Sequence, residues 1–180
     1  MLSVSTKTGD KGVSGLANGQ RVGKDELIFE VLGTVDELSS WIGLSLVALS
    51  AEFAEHKQFL KQLQETLFYI GAELALSPKA KLKKEQLLAL ETISESLQQH
   101  MAEGWTTKFL FPGGSEAAAR LDVTRTVARK LERLIVRYSK DVTVSALVFQ
   151  YVNRLSDYLY VLRCFVNQQE AVVESKFEVR

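Results

Sequence analysis

Residues 121–133 read LDVTRTVARKLER, and the fold turns on how this stretch is read. At about 100° per residue, Arg125, Arg129, Glu132 and Arg133 fall within roughly a quarter-turn of one helical face. Val127, Leu131, Leu134, Ile135 and Tyr138 fall on the other. A helix that buries its apolar side therefore lifts three guanidinium groups and one carboxylate toward something else. Arginine's planar fork donates two parallel hydrogen bonds, which suits phosphate oxygens. The plainer alternative is a solvated face laced with i,i+3 and i,i+4 ion pairs.

Working outward, the same period recurs on both sides. Helices are expected over about 26–49, with Val35, Leu38, Ile42, Leu46 and Leu49 as the buried stripe, and over 51–76, ended by Ser77-Pro78. A third is expected over 83–103, stopped by Gly104. The arginine-bearing helix runs over 116–139 and the last over 142–168. In that last helix Asn153, Asp157, Tyr160 and Cys164 share one face, and Val152, Leu155, Leu159, Leu162 and Val166 the opposite one. Two successive helices with polar faces point to a site between helices or between subunits. The tail from 172 to 180 alternates weakly and is left unassigned. The expectation is an all-α, five-helix up-and-down bundle, one domain over 1–180: an irregular arm at 1–25, the bundle at 26–168 and a tail at 169–180.

The arm differs from everything after it. Gly9, Gly12, Gly15, Gly19 and Gly23 lie close together, interleaved with hydroxyls, Lys7, Lys11, Arg21 and Lys24. Such a segment can wrap a polyphosphate with backbone amides and cations. A flexible chain end is the alternative. The Walker order of glycines and lysine is absent. Residues 105–115, WTTKFLFPGGS, form a loop with four large apolar residues, either a ligand surface or a plug for one end of the bundle. Asp36 sits one residue off the buried stripe of the first helix, as a surface acid or as a partner for an arginine elsewhere.

Composition narrows the function. Of 180 residues, 46% are hydrophobic and 24% charged, with 22 lysines and arginines balancing 22 aspartates and glutamates. No bulk basic excess marks a nucleic-acid binder, so any anion site is local. The single cysteine, Cys164, allows no intrachain disulfide and suits a reducing cytoplasm. No run of 18 apolar residues appears, so no membrane span is expected, and the glycine motif five residues after Met1 leaves no room for a targeting peptide. His56 and His100 stand singly on helices and are read as surface residues. Neither a protein metal site nor a His-dependent nucleophile is expected.

Read together, TKTGDKG (6–12), R-V-x-K (21–24), GTVDELSSWIG (33–43), FLFPGGS (109–115), R-T-V-A-R-K-x-E-R (125–133) and VNRLSDYLYVL (152–162) resemble the PduO-type ATP:cob(I)alamin adenosyltransferases. The resemblance implies a homotrimer with active sites between subunits. It implies transfer of the 5′-deoxyadenosyl group of ATP to Co(I) of a reduced corrinoid, with release of triphosphate, formation of adenosylcobalamin and Mg2+ accompanying the nucleotide. Carried over by position, Thr6, Lys7, Thr8, Gly9, Ser14 and Lys24 match the nucleotide-binding arm. Arg129, Glu132, Arg133 and Asn153 match contacts from the helical wall. Arg125 matches an arginine that contacts ATP and pairs across the interface with the acid at Asp36. Phe109 matches the aromatic that displaces the lower ligand of cobalamin. Gly15 and Leu32 depart from the family, which often carries a hydroxyl and a tyrosine there. A cob(II)alamin reductase and an adenosylcobalamin-dependent enzyme are the implied protein partners. Neither nucleic acid nor membrane is among them. The contrasting readings are a non-catalytic trimer that binds ATP or cobalamin, and a purely structural bundle.

Overall fold

The computed structural model describes residues 7–106 and 109–177. Its helices are α1 (Leu27–Ala48), α2 (Ala54–Leu74), α3 (Lys84–Gln99), α4 (Glu116–Tyr138) and α5 (Ala146–Gln169). Neighbours pack in the order α2, α1, α4, α5, α3, so α4 lies between α1 and α5. This is the expected up-and-down bundle, and each stripe of 3.6-residue period faces its centre. Leu38 and Ile42 of α1, Leu60, Leu63 and Ile70 of α2, and Leu121 and Leu131 of α4 are fully buried. Removing one such leucine side chain costs about 2–5 kcal/mol. α1 is long and apolar enough, by length and composition, to cross a membrane. Here its Val31, Leu38 and Ile42 serve the core.

α1 and α4 approach closely because small residues meet there. Ser45 Oγ and Thr124 Oγ1 are 2.8 Å apart in the core, so one hydroxyl donates to the other while the other gives its single proton to a carbonyl of its own helix, Trp41 O or Arg120 O. These bonds leave the buried hydroxyls without a desolvation penalty. α4 starts where its cap predicts: Ser115 Oγ accepts the Ala118 amide at 3.3 Å.

Four boundaries depart from the periodic pattern. Residues Ala51–Phe53 form a 3-10 turn ahead of α2. α2 ends at Leu74, and Leu76 already has φ 63°. α3 ends at Gln99, before the turn that carries Gly104 at φ 75°. α5 begins at Ala146, where Ser145, itself extended at φ -66° and ψ 144°, caps the Val148 amide. The arm is less irregular than expected. β1 (Val13–Gly15) and β2 (Arg21–Gly23) pair antiparallel, Ser14 opposite Val22. Its tip is tied to the end of α2 by Ala17 N–H donating to Ala75 O at 3.0 Å.

Candidate active site

The polar faces of α4 and α5 meet along one seam. Glu132 Oε1 accepts a hydrogen bond from Asn153 Nδ2 at 3.0 Å, and Arg154 Nη1 donates to Asn153 Oδ1 at 3.0 Å. Arg125 lies 5.9 Å from the centroid of the Tyr160 ring, with its Nε 3.7 Å from Asp122 Oδ1. That Nε is buried yet makes no hydrogen bond. The Asp122 carboxylate beside it stands at ion-pair rather than hydrogen-bond distance. Arg129 and Arg133 project outward from the same face, exposed. Burial pushes the Asp157 carboxyl above its ordinary value, Glu132 adds to the rise, and Arg154 and Arg129 oppose it. The seam thus gathers Arg125, Arg129, Glu132 and Asn153 with Asp157 and Tyr160.

The arm forms a second cluster. Arg21 donates to Thr8 O at 2.6 Å, and the Lys24 amide to Gly12 O at 2.8 Å. Lys7 has φ 57° and Gly12 φ 72°, a tight turn that doubles the chain back on the hairpin. A Cβ on Gly9 would stand 2.9 Å from Lys24 Nζ, so this glycine lets the ammonium lie across the backbone. Lys7, Thr8, Gly9 and Lys24 are thereby brought together, and Ser14 follows, half-buried on β1. Thr6 lies outside the described residues.

Asp36 belongs to neither cluster. It is exposed and lines a groove of about 420 Å3 between α1 and α2, among Leu32, Val35, Leu67, Phe68 and Ala75. Its neighbour Glu37 faces α4 and pairs with Lys130 at 2.8 Å. Asp36 therefore points to α2, whereas Arg125 of the same chain points to α5.

Phe109 is 83% exposed. The loop that carries it is pinned from both sides. The tail adds a short antiparallel bridge: Phe177 N–H donates to Phe109 O at 2.9 Å, and Phe111 N–H to Ser175 O at 3.0 Å. From the bundle, Arg163 Nη2 donates to Phe111 O at 3.2 Å and Gly113 O at 3.0 Å. Asp122 Oδ2 accepts the Gly113 amide and Arg163 Nε, each at 3.0 Å. Asn167 accepts the Ser115 amide and donates to Gly113 O. Gly114 has φ 106°, and a Cβ there would overlap the Asn167 amide at 2.3 Å.

Two expectations about α5 and His56 need correction. Cys164 is buried rather than on the polar face with Asn153, because α5 is enclosed on most sides. His56 is half-buried against the edge of Phe165, 5.6 Å between centroids, and burial lowers its pKa. Asp122, Arg163, Asn167 and Glu174 were not anticipated as functional residues. The available signal was Arg163 itself, a lone cation within the apolar run YVLRCFV.

The family model described as cobalamin adenosyltransferase matches residues 4–166. The chain belongs to the cobalamin adenosyltransferase family. It is 37% identical to the corrinoid adenosyltransferase of Bacillus subtilis over 182 residues, 98% of this chain and 93% of that one. It is 33% identical to the human corrinoid adenosyltransferase, over 93% of this chain and 70% of that one. Against the PduO corrinoid adenosyltransferase of Salmonella typhimurium it is 38% identical and spans 48% of that longer protein. A variant PduO-type ATP:corrinoid adenosyltransferase from Lactobacillus reuteri, solved with cobalamin and ATP, superposes with a TM-score of 0.91 at 29% identity, covering 98% of this chain and all of that one. The cobalamin adenosyltransferase match takes in the arm, the seam and the aromatic loop. It stops before Asn167 and Glu174.

Proposed function

We propose that this chain carries out its family's reaction, ATP-dependent adenosylation of a corrinoid, with the α4–α5 seam and the arm holding ATP and the Phe109 loop facing the corrin ring. The observation that carries this assignment is the cationic face of α4, where Arg125 lies half-buried against Tyr160 and Arg129 and Arg133 stand exposed beside it. Co(I) is a strong nucleophile, so the protein supplies no attacking group. Cobalt donates an electron pair to C5′, the C5′–O bond breaks, and triphosphate leaves with that bond's electrons. The Co–C bond that forms leaves cobalt formally Co(III). Cationic side chains and backbone amides lower the barrier by stabilising charge on the departing triphosphate and by orienting C5′. Phe109 presents an apolar wall where a lower axial ligand would otherwise sit.

Mg2+ fits the donor set of this seam. The Glu132 carboxylate, held on the seam by Asn153, would offer one oxygen to a cation that takes its remaining ligands from phosphate and water. Mg2+ would neutralise polyphosphate charge there.

Completion of the site by a second copy is supported by the placement of Asp36, which faces away from Arg125 of its own chain. It is supported too by exposed Leu44 and Val47 on α1 and Val123 on α4. A homotrimer is the assembly we assign, in the cytoplasm, where Cys164 stays reduced. The chemistry calls for a cob(II)alamin reductase before it and an adenosylcobalamin-dependent enzyme after it. The test mixes protein, ATP, Mg2+ and chemically reduced cobalamin and follows the adenosylcobalamin spectrum. Binding of both substrates without that spectrum would instead favour a carrier or sensor.

A further inference from the structure

Arg163 is 1% exposed, within the C-terminal third of α5, yet it is charged. Each of its nitrogens is engaged. Nε meets Asp122, Nη1 meets Glu174 and, at 3.6 Å, Cys164 Sγ, and Nη2 spans the carbonyls of Phe111 and Gly113. Glu174 in turn accepts from the Asn167 amide at 2.8 Å. Replacing such a buried ionic cluster with apolar residues is often neutral or stabilising, so stability alone gives weak reason for it. Its geometry gives a better one. Asp122 holds the Gly113 amide with one oxygen, while its other oxygen faces Arg125 of the polyphosphate wall. One carboxylate therefore registers the aromatic loop against the nucleotide-facing arginine. Glu174 closes the arrangement from the tail, whose backbone bonds hold Phe109 and Phe111 from the opposite side.

We infer that Arg163 and Glu174 are positioning residues: through Asp122 and the carbonyls of Phe111 and Gly113 they lock the Phe109 loop to the tail and to the nucleotide wall. The inference rests on the reading that Phe109 faces the corrinoid. Neither residue touches either substrate in this scheme. Loss of Glu174, which touches Arg163 and Asn167 but neither Asp122 nor Arg125, acts on the placement of Phe109, hence on corrinoid use, and leaves ATP contacts in place.

Two variants test it, Glu174→Ala and Arg163→Lys. Lysine keeps the buried charge but offers a single nitrogen, which cannot bridge two carbonyls and two carboxylates. A purely electrostatic role for Arg163 would be rescued by lysine, and a positioning role would not. In both variants exchange of the hydrogen-bonded amides of Phe111, Gly113 and Phe177 should quicken by at least about tenfold while α4 and α5 stay protected. In Glu174→Ala the KM for ATP should stay within about twofold of wild type, with kcat/KM for reduced cobalamin down about tenfold or more. Should Arg163→Lys fail to fold, Glu174→Ala still decides, because Glu174 lies on the tail outside the bundle. Unchanged exchange in Glu174→Ala, or equal losses for ATP and cobalamin, would overturn the inference. If the loop loosens as expected but wild type forms no adenosylcobalamin, the clamp stands and the proposed function fails.

Discussion

Arg125 and Arg129 sit one helical turn apart but in different surroundings. Arg125 is half-buried between Asp122 and Tyr160, and Arg129 is exposed. Arg129 can therefore be removed without leaving a buried charge unpaired, which makes it the cleaner probe of phosphate binding. Arg129→Ala should weaken ATP binding by about 1.5–3 kcal/mol, the usual worth of a hydrogen bond to a charged group, with the melting temperature little changed. Calorimetric titration would check this, and unchanged affinity would move the polyphosphate off this wall. Asp157 gives a pH signature. Its folded-state pKa is raised from 3.8, first by burial, so the folded chain binds that proton more tightly than the unfolded chain does. Stability then falls as pH rises from 3.8 through the raised folded-state pKa. Asp157→Asn should accordingly be the more stable protein at neutral pH, with the advantage vanishing on acidification below the ordinary carboxylate range. Urea midpoints at the two pH values decide it, and a parallel shift at both would mean that the charge is not the cause.

At the scale of elements, the helices were legible because each needs one apolar stripe, and Val35, Leu38 and Ile42 or Val127, Leu131 and Leu134 announce theirs at helical spacing. The hairpin of the arm was not. Strands reading VSG and RVG are too short to alternate, and what fixes them is pairing and the anchor to Ala75. The candidate site was legible on α4 because three arginines on one face are a local pattern. The Asp122–Arg163–Glu174 cluster was not, since its members lie 41 and 11 residues apart and gain meaning only when packed together. The same holds for the tail, whose weak alternation becomes a strand-like partner only beside residues 109–111. This loop also makes a prediction of its own. The Phe109 side chain is exposed and the loop backbone is held by other groups, so Phe109→Ala should fold normally and bind ATP within about twofold of wild type while losing at least about tenfold in turnover of cobalamin. Steady-state kinetics with each substrate varied in turn would show it, and equal losses for both would point to a general disturbance.

At the scale of the molecule, the decisive question is whether one chain holds a whole site. Within the chain, Asp36 lies in the α1–α2 groove and Arg125 on the α4–α5 seam, so a pair between them must join two copies. The surroundings of Asp36 favour burial by a partner: Phe68 beside it is 75% exposed, and Val47 further along α1 is 74% exposed. A carboxylate covered there needs a counter-charge, and removing it leaves the facing arginine desolvated and unpaired. Asp36→Asn and Arg125→Ala should each be nearly inactive alone. Co-expressed with different tags and purified as mixed oligomers, they should regain activity. In a cyclic trimer that contains both variants, about one site in three draws an intact Asp36 from one subunit and an intact Arg125 from its neighbour. Activity near that fraction of wild type identifies a shared site. If each residue served only its own chain, every site would carry one lesion and the mixture would be as inactive as its parents.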